Sequence, residues 1–161
     1  MKLSILYILL LSSSALADTV IKYGVNVPKP DESLGSTKAI FVSKQYPLGS
    51  SSFIYQLEVG GWFDNTGLAG HRGSALVSAS VGLDVSADVF FAQALVGPAL
   101  ITHPDSVLGG PGQINNDFAF GLQDPRTRAR LGFNYKHDSS AGLEQPNQGR
   151  DFYLFRASWS F

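Results

Sequence analysis

The 161-residue chain contains no cysteine, so neither disulfides nor thiolate metal sites can hold it together. Charge is scarce. Asp, Glu, Lys and Arg make up 16% of the residues and the formal net charge is −1, which removes the basic surface a nucleic-acid partner requires. Three histidines are present, scattered without the spacing of metal ligands, so no metal and no cofactor is expected. Long apolar runs are missing as well. The longest, from Leu3 to Leu11, is roughly half of the about 20 residues a membrane-spanning helix needs. Stability must therefore come from a good core or from a lipid environment.

That short run has a different use. Met1-Lys2 gives a positive start, Leu3 to Leu11 an apolar stretch, and Ala15-Leu16-Ala17 a small-residue cleavage signature before Asp18. These are the three regions of a signal peptide. Residues 1–17 are expected to be removed on export, leaving 18–161 as one domain.

Aromatics at 12% and 17 glycines suit strands better than helices. The apolar residues recur every second position, which is the strand period. Phe53, Tyr55, Leu57 and Val59 alternate with Gln56, Glu58 and Gly60, and Ala75, Val77, Ala79, Val81, Leu83 and Val85 with Ser78, Ser80 and Asp84. Phe118, Phe120 and Leu122 alternate with Asp117, Ala119 and Gln123. Ala129, Leu131, Phe133 and Tyr135 alternate with Arg128, Arg130, Asn134 and Lys136. The last segment sets Tyr153, Phe155, Ala157, Trp159 and Phe161 against Arg156, Ser158 and Ser160.

Eight strands follow, at about 19–25, 37–46, 53–63, 74–85, 88–101, 115–123, 127–138 and 151–161. Their connections alternate long and short, so the long loops gather at one end and both termini at the other. This is the pattern of outer-membrane barrels, with long external loops and short periplasmic turns. The final Phe161 and the aromatics near strand ends (Trp62, Phe63, Tyr135, Tyr153, Trp159) fit interfacial girdles. The expectation is an all-β, eight-stranded antiparallel transmembrane barrel in the bacterial outer membrane, among outer-membrane lipids. A soluble lipid-binding barrel is the alternative, because periodicity alone does not say which face points inward. In the membrane arrangement, Arg128, Arg130, Lys136, Arg156, Glu58, Asp84 and Asp117 would share a narrow lumen as structural ion pairs, since an unpaired buried charge is costly.

The chemistry-bearing segment runs from His137 to Asp151. His137 and Ser139 have the parity of Tyr135 and so face outward, with Cα atoms about 6.5–7 Å apart. Asp151 shares the parity of Tyr153 and, in a hairpin, lies across from them. A serine becomes nucleophilic when a histidine takes its proton, and a carboxylate fixes the imidazole's tautomer. Solvated interfacial residues are the bland alternative to this triad. His71, Arg72 and His103 read as solvated loop residues, and Asp105 and Asp117 have no spacing that demands calcium. Gly109-Gly110-Pro111-Gly112 lacks the strand–loop–helix context of a phosphate cradle.

The stretch Tyr135 to Asp151 resembles the lipid A 3-O-deacylase family, the PagL-type outer-membrane esterases. The likeness lies in His137-x-Ser139, Ala141-Gly142-Leu143, Gln145-Pro146-Asn147-x-Gly149 and a carboxylate two residues later. It implies hydrolysis of the ester-linked acyl chain at position 3 of lipid A in lipopolysaccharide. Ser139 would be the nucleophile, His137 the base and Asp151 the orienting acid. Two residues depart from the family pattern. Asp151 stands where a glutamate is usual, so its carboxylate must be approached more closely. Ser140 replaces an asparagine, and loss of an oxyanion donor can cost on the order of 10²–10³ in rate. Ser140, Gly142 and Asn147 are the candidates for oxyanion or substrate contact, and the N–H groups of Ala141 and Gly142 could replace the lost amide. Glu144 is a less suitable acid because it does not match the family's position. A non-catalytic small barrel with a degenerate site is the competing reading. The pattern leaves the oligomeric state, a homodimer included, open.

Overall fold

The structure is a computed structural model that describes residues 17–26, 37–49, 52–63, 73–104, 108–143 and 149–160. Apart from Ala17, the expected signal peptide lies outside the described residues.

Eight strands are formed: β1 (Asp18–Asn26), β2 (Lys38–Pro47), β3 (Phe53–Phe63), β4 (Ser74–Ala87), β5 (Phe90–Ile101), β6 (Gly112–Gln123), β7 (Arg130–Ser139) and β8 (Arg150–Ser160). Each pairs antiparallel with its sequence neighbours, and β1 closes on β8 from Asp18↔Ser160 to Asn26↔Phe152. Closure leaves no strand edge unpaired. A hydrogen bond from Ser160 Oγ to Asp18 Oδ1 ties the seam at the terminal end.

The period-2 alternation turns one side of every strand outward. Tyr23, Leu57, Phe120, Leu131, Phe133 and Phe155 are all exposed on the outer surface, while Lys22, Gln56, Glu58, Asp117, Lys136 and Arg156 are buried inside. The interior has two zones. Toward the termini it is a polar network. Lys22 Nζ pairs with Glu58 at 2.7 Å and with Asp117, and Lys136 Nζ pairs with Glu58 at 3.1 Å and Asp138 at 3.3 Å. Asn115 accepts from Lys136 and Asn134 donates to Asp117. Lower still, Arg130 pairs with Asp84 at 2.7 Å, and the guanidiniums of Arg130 and Arg156 both lie over the Phe91 ring.

Toward the long-loop end the lumen is filled by an apolar plug of Ala39, Phe41, Trp62, Leu76, Ala99, Ile101, Leu108, Phe152 and Leu154. Gly60 makes room for it, because a Cβ there would overlap the Phe41 ring. Leu108 reaches in from the β5–β6 connection, which Gln113 Nε2 pins by donating to the carbonyls of Leu108 and Gly110. Lys136 over Phe41 and Arg150 over Trp62 join the two zones by cation–π contacts.

Three expectations are corrected. Trp62 is not a girdle residue: it is 2% exposed, inside the plug, on the parity of Glu58. Arg128 is not a lumen cation. Asp124 accepts from the N–H of Arg126 and the hydroxyl of Thr127, and Arg128 sits at φ 57 in the turn, exposed. The turn therefore runs on to Ala129 and β7 starts at Arg130. The β4–β5 turn falls at Asp88-Val89, with Asp88 at φ 49, two residues beyond the expected place. Lys22 and Asp138 join the lumen ion pairs without having been expected there.

Candidate active site

The β7–β8 hairpin sets His137 directly opposite Asp151. His137 Nδ1 and Asp151 Oδ1 are 2.6 Å apart. An ionised carboxylate only accepts, so the imidazole donates from Nδ1 and keeps Nε2 as its basic nitrogen. The two side chains are 28% and 21% exposed, which leaves the pair reachable from outside the barrel. Direct opposition also settles the reach of the short acid: side chains of facing residues start about 4.5–5.5 Å apart, a gap an aspartate spans. A second donor meets the same oxygen. Tyr135 Oη donates to Asp151 Oδ1 at 2.7 Å.

Ser139 is the last residue of β7, part-exposed on the same outward face, with Ile114 of β6 as its neighbour. Among the described residues its hydroxyl makes no hydrogen bond to His137. Side-chain rotation over the distance between next-but-one residues of a strand can close that gap, and catalytic hydrogen bonds commonly tighten only with substrate in place. Beyond Ser139 the chain turns sharply. Ala141 and Gly142 have φ of 52 and 82, and Leu143 N donates to Ser140 O at 3.0 Å. Two successive positive φ values are the signature of a type I′ turn, in which glycine is at ease and alanine is strained. Ser140 itself is fully buried.

Gly149 completes the surroundings of the imidazole. At φ 71, its missing side chain is what allows contact: a Cβ would lie 2.9 Å from His137 Nε2 and closer still to Cε1. The sequence marks Tyr135 as a girdle aromatic and Gly149 as part of a motif; neither contact is readable there. Shared outward parity of Tyr135 and Asp151 is the one signal the sequence carries for the first of them.

Glu144, Asn147, His71, Arg72 and Asp105 lie outside the described residues. His103 is an exposed loop residue whose Nδ1 is 3.0 Å from Thr102 Oγ1, and Asp117 is a lumen ion-pair partner. Among the described residues no three His, Asp or Glu side chains converge on a metal site.

Residues 35–160 match the family model described as lipid A 3-O-deacylase (PagL). The chain belongs to the lipid A 3-O-deacylase family. Among solved structures, the outer-membrane enzyme PagL superposes with a TM-score of 0.64 at 20% identity, covering 89% of this chain and 99% of that one. Neisserial surface protein A (NspA) superposes with a TM-score of 0.58 at 13% identity, covering 92% of this chain and 98% of that one. No curated protein sequence matches. At these identities the two structures speak for the fold, an eight-stranded outer-membrane barrel. In an outer-membrane barrel the outward apolar surface faces lipid, and here the polar network lines the lumen. Long connections lie outside the cell in such barrels, so His137, Ser139 and Asp151 sit on the lipid-facing side toward the outer leaflet.

Proposed function

We propose that the protein hydrolyses the ester bond linking the acyl chain at position 3 of lipid A, with Ser139 as nucleophile, His137 as general base and Asp151 as the acid that orients it. The observation that carries this reading is the 2.6 Å cross-strand bond between His137 and Asp151, on the outward face beside Ser139. Two polar, hydrogen-bonded side chains on a lipid-facing surface have no packing role to explain them. Their site opens where an acyl ester of the outer leaflet arrives laterally.

In the reaction, Ser139 Oγ attacks the ester carbonyl carbon while its proton passes to His137 Nε2. The carbonyl oxygen gains the negative charge of a tetrahedral intermediate. The C–O bond to the sugar then breaks, and the departing sugar oxygen takes the proton from His137, leaving the acyl group on Ser139. Water, deprotonated by His137, attacks the acyl carbon of that acyl-enzyme; the bond from this carbon to Ser139 Oγ breaks, Oγ takes the proton back from His137, and the fatty acid is released. Asp151 stabilises the imidazolium that forms in each half-reaction. We assign the oxyanion to the backbone N–H groups of Ala141 and Gly142, whose turn is held in a strained form. Strain of this kind gathers at functional sites. The Ser140 hydroxyl is too deeply buried to reach a substrate carbonyl. Asn147 is assigned to shaping the loop or contacting substrate.

Mass spectrometry of lipid A from cells expressing the protein tests the proposal. The wild type is expected to remove the 3-linked hydroxyacyl chain, and Ser139→Ala and His137→Ala to leave it in place. Intact lipid A with a folded wild-type barrel would reduce the protein to a non-catalytic member, and full activity in either variant would strike that residue from the mechanism.

A further inference from the structure

We propose that Tyr135 is a positioning residue of this site, its hydroxyl locking the Asp151 carboxylate beneath His137. The inference rests on the triad reading above and adds a fourth group to it. Tyr135 Oη and His137 Nδ1 bond the same carboxylate oxygen, at 2.7 and 2.6 Å. Tyr135 stands opposite Tyr153, one step along the face from the His137↔Asp151 pair, so its hydroxyl reaches Asp151 on the diagonal. Such diagonal neighbours lie about 7–8 Å apart and are within reach of an aromatic side chain.

The ring is held from both sides. Tyr153 lies 5.5 Å away on β8 and Phe118 6.4 Å away on β6. A phenol gripped between two rings on an apolar surface presents its hydroxyl at one place. An aspartate side chain turns about two torsions, and each hydrogen bond it accepts narrows that range. Two donors on one oxygen restrict both the rotamer and the direction of the remaining negative charge. In a surrounding of low dielectric, hydrogen bonds to a charged group are strong. The neighbouring face accepts bare phenyl rings at Phe118 and Phe133, so interfacial placement alone does not call for the hydroxyl.

The test compares Tyr135→Phe with the wild type in detergent micelles, by kinetics on purified lipid A and by NMR of protein labelled with 15N-histidine. The His137 Nδ1–H proton is assigned by its loss in His137→Gln. In the wild type this proton should be downfield and protected. In Tyr135→Phe it should broaden into solvent exchange, and kcat should fall about tenfold to a hundredfold, as for a lost bond to a charged group, with KM within about twofold. Tyr135→Leu, which also keeps the face apolar, should behave likewise. An unchanged resonance in both variants overturns the inference. If the wild type fails to deacylate lipid A, the enzymatic reading falls, and the resonance still decides whether Tyr135 holds Asp151.

Discussion

At the scale of single residues, the imidazole of His137 is fixed by three unlike neighbours: a carboxylate on one nitrogen, a phenol behind that carboxylate, and a glycine against the opposite edge. Gly149 contributes by lacking a side chain, and its contact with His137 yields a prediction separable from backbone strain. Gly149→Ala forces a methyl into the imidazole while also placing alanine at a φ of 71. Gly49→Ala, in the β2–β3 turn, imposes nearly the same φ of 70 with nothing within 4 Å. Each should lose about 1–2 kcal/mol of stability from the left-handed backbone. Only Gly149→Ala should lose activity, on the order of 10²-fold, since about 1 Å of misplacement of a catalytic group costs that much. Rates on lipid A, normalised to the folded band in heat-modifiable gel mobility, give the comparison. Equal activity in the two variants would show that the imidazole tolerates displacement.

At the scale of elements, the hairpins differ in how openly the sequence announces them. Strand parity was legible where the sequence keeps a period of two, in β3, β4, β6, β7 and β8, and His137, Ser139 and Asp151 fell on one face for that reason. The β6–β7 turn was not legible, because it depends on Arg128 adopting a positive φ, which nothing in an arginine suggests. Trp62 shows the opposite failure. Its parity matched Glu58 and pointed inward, yet its residue type suggested a girdle. The plug was obscured in β2, where Ala39 and Phe41 inside alternate with Ile40 and Val42 outside, so both faces read as apolar. At the site, the facing of His137 and Asp151 followed from a hairpin register, whereas the Tyr135 and Gly149 contacts depend on a diagonal side-chain reach and a left-handed loop residue, which a period of two does not carry. The β6–β7 turn carries its own prediction. The N–H of Arg126 and then the Thr127 hydroxyl hold the Asp124 carboxyl below its ordinary value near 3.8. A carboxylate whose folded value is depressed stabilises the fold above its unfolded value and stops doing so as pH falls through the folded one. Asp124→Ala should therefore unfold more easily than the wild type near neutral pH. The gap should close as pH drops below the ordinary aspartate range. Urea midpoints across a pH series measure it, and a gap independent of pH would assign the effect to backbone geometry instead of charge.

At the scale of the whole molecule, the barrel separates two tasks on one strand. Along β7, Lys136 and Asp138 point into the lumen while His137 and Ser139 point to lipid, so His137 sits between two lumen ion-pair members and Ser139 follows the second of them. The outward surface gains little from burial when lipid surrounds it, because tails are as apolar as the side chains they touch. Specification of the closed barrel therefore falls largely to the lumen, where Glu58 is the common partner of Lys22 and Lys136. Replacing it with leucine keeps the volume but leaves two buried ammonium groups short of a counter-charge, a change that typically costs about 3–5 kcal/mol. Glu58→Gln retains an oxygen for the lysines and should cost less. Urea unfolding in micelles, followed by tryptophan fluorescence, ranks the two. The plug of Trp62, Phe41 and Phe152 stands between this network and the external loops, and His137, Ser139 and Asp151 lie on the outward side, so the proposed reaction needs no passage through the lumen. Activity per folded molecule should consequently stay within about twofold of wild type in Glu58→Gln while its stability falls, since a neutral amide leaves the outward residues of β7 untouched. A large loss of rate in a fully folded Glu58→Gln protein would instead mean that the lumen charges set the geometry of His137 through the shared strand.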